Sequence, residues 1–168
     1  MKNFKTLLLI AVFTLGLGGV ANAQKMGHID FEKLVAEMPQ TKKLKQDIEK
    51  LGKTYQEEVE GMAKKLDAKM KKYQAEQNAQ TKEINEIRAQ EVQQENARYE
   101  QLRQTAYQDM QKKQAEGLEP IIETAQKAID EVATSKGILY VLDSSMGKGL
   151  LVSKGENLFA AVKAKLGF

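Results

Sequence analysis

The sequence predicts an α+β protein that is mostly helical. A long antiparallel helical hairpin, with coiled-coil-like arms, stands on a small β-strand body that forms between subunits. Three observations carry this reading. From about Gln40 to Val132 there are one proline and three glycines, and Lys, Glu and Gln crowd around a thin apolar seam. Such a composition suits long helices, not a compact mixed core. The flanks instead hold short apolar runs bounded by glycine and turn residues, as strands do. Aromatics are only 6% of the chain and it has neither Trp nor Cys, so no disulfide can staple a small fold.

The elements follow in order. Lys2 and Lys5 precede an apolar run from Leu7 to Val20, and Ala21-Asn22-Ala23 then offers a small-x-small cleavage site. This is the pattern of a secretory signal over residues 1–23, cleaved after Ala23. The run is shorter than the roughly 18 residues a spanning helix needs. The mature chain carries 24 basic and 23 acidic residues, too balanced to argue for nucleic acid.

Body residues 24–39 begin with a strand around Gly27-His28-Ile29-Asp30-Phe31, and Asp30 is placed to cap a short helix through Glu37. Met38-Pro39 ends that helix and starts the next, because proline is tolerated in a first helical turn. The arm then spans residues 40–136. Its outgoing seam is Leu44, Ile48, Leu51, Tyr55, Val59, Met62, Leu66, Met70 and Tyr73. The mean step of about 3.6 residues suits a straight or weakly supercoiled helix pair.

Gln74 to Thr81 lacks large apolar residues, and Asn78 and Thr81 favour turns and N-caps. The tip is therefore expected near residues 77–81. The returning seam is sparser: Ile84, Ile87, Val92, Tyr99, Leu102, Tyr107, Met110 and Leu118. Pro120 is a candidate kink, and Ile121, Ile122, Ala125, Ile129 and Val132 form a richer stripe where the helix meets the body.

Residues 137–168 complete the body. Gly137 ends the helix, and the runs 138–142 and 150–152 flank a turn-rich loop and read as a β-hairpin. Asn157 can cap a last helix bearing Leu158, Phe159, Val162 and Leu166. So small a body rarely stands alone without disulfide or metal. The strands are therefore expected to pack between subunits of an obligate homo-oligomer, with Ile29, Phe31, Ile138, Leu139, Val141, Leu150 and Val152 in its core.

The residues offer no chemistry of the catalytic kind. His28 is the single histidine, which leaves no ligand set for zinc. Ser144 and Ser145 lack a glycine-framed nucleophile elbow, and turn chemistry explains Asp-Ser-Ser. Gly147-Lys148-Gly149 is too short for a phosphate loop. Neither an enzyme nor a cofactor is expected.

Two arm features can carry function. Lys64, Lys65, Lys69, Lys71 and Lys72 cluster around the single acid Asp67, whereas residues 81–135 hold seven basic and eleven acidic residues. The asymmetry serves either charge pairing between the arms or attraction of acidic clients, anionic lipid or lipopolysaccharide. Met62, Met70 and Tyr73, with the other seam Met and Tyr residues, are soft groups that pack between helices or adapt to varied partners.

The order of parts resembles the Skp/OmpH family of periplasmic chaperones. The resemblance rests on Met26 to Leu34, on Pro120-Ile121-Ile122 running to Val132, and on Gly137 to Ser144, and it covers essentially the mature chain. It implies a homotrimer whose strands form a small β-barrel body and whose three hairpins enclose a cavity. It also implies an ATP-independent holdase for unfolded outer-membrane proteins. A structural coiled-coil spacer or tether in the cell envelope is the alternative expectation.

Overall fold

The computed structural model describes residues 25–168. The expected signal segment and its cleavage site lie outside them. The element order is β1 (Met26–Ile29), α1 (Phe31–Glu37), α2 (Pro39–Glu76), a 3-10 turn (Gln77–Ala79) and α3 (Lys82–Lys136). Then come β2 (Tyr140–Asp143), β3 (Glu156–Asn157) and α4 (Phe159–Leu166). Long helices with a small three-stranded sheet are the architecture that the composition predicts.

Helix boundaries are set by local chemistry. The Asp30 side chain accepts the Lys33 N–H at 2.9 Å and caps α1. Pro39 opens α2, where a missing N–H costs nothing. Thr81 caps α3 through the Ile84 N–H at 3.3 Å. At the other end Gly137 takes a left-handed φ of 65°, and Ile138 N–H reaches back to Ala133 O at 2.9 Å. α3 continues across Pro120 without a break, and Thr124 Oγ1 donates to the Pro120 carbonyl at 2.7 Å. At about 1.5 Å per residue, the 38 residues of α2 span roughly 57 Å.

The sheet corrects the expected β-hairpin. Its strand order is β2-β1-β3, and both pairings with β1 are parallel within one chain. Met26 faces Tyr140 and Ile29 faces Asp143, so the whole arm is the crossover between β1 and β2. Residues 150–152 are not a strand, and the third strand is the polar pair Glu156–Asn157. It fits because glycines let backbones approach: a Cβ on Gly155 would lie 2.6 Å from Met26 O, and one on Gly27 would lie 3.2 Å from Leu158 Cδ1. No apolar pattern marks such a strand. Asn157 Oδ1 then accepts the Phe159 N–H at 2.9 Å at the start of α4.

The core lies where α1, the last turns of α3, α4 and β1 meet. Leu34, Met38, Leu158 and Val162 are fully buried, with Ile29, Ile121, Val132 and Ile138 around them. Ala125, Ala128 and Ala133 give α3 a small-residue face that the shorter elements approach closely. Lys163 to Glu37 at 2.5 Å and Lys165 to Glu131 at 2.8 Å tie α4 to its neighbours at the rim.

Candidate functional site

The arm helices, 38 and 55 residues long, are the longest elements among the described residues, and their seam departs from the apolar list. On α2 the covered large side chains beyond Tyr55 are Val59, Met62, Leu66, Lys69, Tyr73 and Glu76. Their steps alternate between 4 and 3, which is heptad spacing. On α3 the covered positions include Asn85, Arg88, Val92, Glu95, Tyr99, Leu102, Ala106 and Asp109 in heptad spacing, with Glu91 and Met110 beside them. Ile84 therefore lies off the seam, as do Ile87 and Tyr107, each 64% exposed. Met70, expected inside, is half exposed, and Lys69 takes its place. Counting Lys69 in place of Met70 leaves the mean step from Leu44 to Tyr73 at about 3.6, but it restores the strict 4-3 alternation of a heptad from Tyr55 outwards.

Polar groups fill the outer seam. Lys69 Nζ donates to Glu91 at 2.7 Å and also bonds Glu95. Tyr73 Oη donates to the other Glu91 oxygen at 2.5 Å. Glu76 accepts from Arg88 at 2.6 Å, and the Arg88 guanidinium lies 4.5 Å from the Tyr73 ring centroid. Further in, Tyr55 Oη donates to Asp109 at 2.9 Å. These partners move the protonation equilibria. Bonds to Glu91 and then Glu95 hold the Lys69 ammonium above its usual range. Lys69, then Tyr73, hold the Glu91 carboxyl below its own.

The five clustered lysines separate accordingly. Lys69 is spent on the returning arm, and Lys71 pairs with Asp67 at 2.7 Å on its own helix. Lys64, Lys65 and Lys72 are exposed and make no ion pair among the described residues. Met62 is half-buried in the seam. Met70 and Tyr73 line a groove of about 440 Å³ near the tip with Gln77, Asn85, Arg88 and Val92. A second groove, of about 380 Å³, lies at the root between Ile48 and Leu118. The cross-arm partners Arg88, Glu91, Glu95 and Asp109 escaped the apolar scan. The heptad spacing of 88, 95, 102 and 109 was the signal that could have found all of them but Glu91.

On the body, the expected oligomer residues also divide. Ile29 and Ile138 are already in the core of one chain. Phe31, Val141 and the exposed Leu139 line an open groove of about 430 Å³ beside β2. Leu150 is half-buried and Val152 exposed. Met146 and Leu151 are each 96% exposed, and Tyr140 and Leu142 also face outwards. These four were not singled out from the sequence.

The hydroxyls that superficially suggested a nucleophile are structural. Ser145 is buried, with Oγ 2.5 Å from Asp143 Oδ1 and 3.1 Å from Asp30 Oδ1, and it accepts the Glu32 N–H at 3.0 Å. Ser144 Oγ lies 3.4 Å from His28 Nδ1. Among the described residues no group of three or more His, Cys, Asp or Glu could hold a metal ion, and no helix is long and apolar enough to cross a membrane.

No curated protein matches the chain. The family model for outer membrane proteins of the OmpH-like type matches residues 25–166, and the chain belongs to that family.

Proposed function

We propose that the protein is an ATP-independent holdase of the periplasm. In this reading it binds unfolded outer-membrane β-barrel proteins in a cavity between helical arms and prevents their aggregation. Membership of the OmpH-like family supports a chaperone kind of role directed at outer-membrane proteins. The observation that carries the finer reading is the arm itself: a hairpin far longer than its core requires, exposing soft and cationic groups along its length. Met70, Lys64, Lys65 and Lys72 lie on its outer half, and many weak adaptable contacts suit clients that share no sequence. Exposed lysines also suit anionic lipid or lipopolysaccharide as a peripheral partner.

The cavity requires several copies. Leu139, Tyr140, Leu142, Met146, Leu151 and Val152 leave more apolar surface open than a lone small body keeps in water, which favours a homotrimer built on the strand body. Export by residues 1–23 belongs to the same reading, and N-terminal sequencing of the periplasmic protein should then begin at Gln24. Light scattering on a denatured outer-membrane β-barrel diluted into buffer tests the activity. Suppression at one trimer per client is expected; unchanged aggregation with a co-purifying fixed partner would favour an envelope spacer instead.

A further inference from the structure

The two halves of the arm are closed by different physics. At the root the seam is apolar. Leu44 packs directly on Gly117, where an added Cβ would lie 2.4 Å from Leu44 Cδ1. Met110 Cε meets Gly52 in the same way, 3.2 Å from an added Cβ, and Ile48 and Leu118 line the adjoining groove. From Lys69 outwards the seam is instead a chain of charges and hydroxyls.

These polar contacts share a single register. Tyr55 meets Asp109; two heptads further out Lys69 meets Glu95, and one heptad beyond that Glu76 meets Arg88. Tyr73 with Glu91 falls in the same alignment. A heptad seam of small and medium apolar groups could slide by one repeat at little cost, and polar pairs fixed on both sides of the apolar Met62–Leu102 step oppose it. The pairs are reachable by solvent: the Lys69 side chain is 26% exposed and that of Glu91 42%. Ion pairs so placed weaken as salt screens them, whereas the apolar root does not respond in that way.

We propose that the outer half of the arm is an ionic clasp, set in register by the cross-arm pairs of Lys69, Tyr73 and Glu76, that opens separately from an apolar root. Screening, or a charged client segment competing for Lys69, Glu91 and Glu95, releases it. The opened clasp then presents the Leu66, Tyr73 and Val92 side chains together with both signs of charge. The client as competitor rests on the holdase reading; the clasp itself does not.

The chain has no cysteine, so spin labels can be placed at will. Labels at Ala68→Cys and Gln94→Cys report the outer half, and labels at Lys50→Cys and Lys113→Cys report the root, each diluted with unlabelled chain. Salt is raised from about 0.05 M to about 0.5 M, which shortens the Debye length from about 14 Å to about 4 Å. The outer distance distribution should broaden and shift to longer values while the root distribution stays put. Lys69→Leu with Glu95→Leu should abolish the outer shift. Lys69→Glu should open the clasp even at low salt, and adding Glu95→Lys should restore closure. An outer distribution that ignores salt, or moves only together with the root, would overturn the clasp. If aggregation suppression persisted in that case, the holdase reading would stand without it. Salt-dependent opening in a protein that fails to suppress aggregation would keep the clasp and remove its client.

Discussion

Ser145 joins the end of β2 to the start of α1 through one hydroxyl. Its buried Oγ lies against two aspartates and accepts a backbone N–H, so truncation takes the acceptor from the Glu32 N–H and one contact from each carboxylate. Ser145→Ala should cost about 1–3 kcal/mol in denaturant unfolding, a full share of a marginal fold. Asp143, bonded to the same hydroxyl, gives the pH dependence. Burial pushes its carboxyl up, but Ser145 Oγ, the N–H groups of Ser145 and Phe31, and the Lys148 charge together hold it below its ordinary value. A carboxylate lowered in the folded state contributes stability above its unfolded pKa and loses it as pH falls through the folded value. Asp143→Asn should therefore be the less stable protein at neutral pH. Its deficit should narrow as unfolding is followed below about pH 4, with Asp30, Glu32, Lys148 and His28 as the neighbouring ionisable groups.

At the scale of elements, the legible parts were those written in local chemistry. The Asp30, Thr81 and Gly137 caps and the arm lengths follow from residue types that have few other uses. Two elements were not legible. β3 is a polar dipeptide held by backbone pairing and glycine clearance, and the sequence shows only a turn-rich stretch. The returning seam was misread because Arg88, Glu95 and Asp109 occupy positions where apolar residues are sought. On the candidate site, the lysine cluster was visible as composition, but the loss of Lys69 to Glu91 and Glu95 needed the pairing of two distant segments.

The glycines of the arm allow a sharp test at the same scale. A Cβ at Gly61 meets nothing within 4 Å, so Gly61→Ala should stabilise by about 0.5–1 kcal/mol through the unfolded chain alone. Gly117→Val drives a branched side chain into Leu44 and should cost about 1–3 kcal/mol, read as a fall in thermal midpoint. Equal effects at the two sites would mean that the root is not held by this close approach.

For the whole molecule, one chain contains both a finished core and an unfinished surface. Leu34, Met38, Leu158 and Val162 are sealed within the protomer, so the body has a fold of its own to present. Around it, Leu139, Tyr140, Leu142, Met146, Leu151 and Val152 leave apolar side chains exposed. In the proposed holdase reading, the assembly that covers these residues sets how many arms surround a client. Native mass spectrometry of the mature chain, alone and after addition of a denatured outer-membrane β-barrel protein, measures this directly. The account predicts three copies alone, and three copies carrying one unfolded client after the addition. A monomer that gains no client would contradict it.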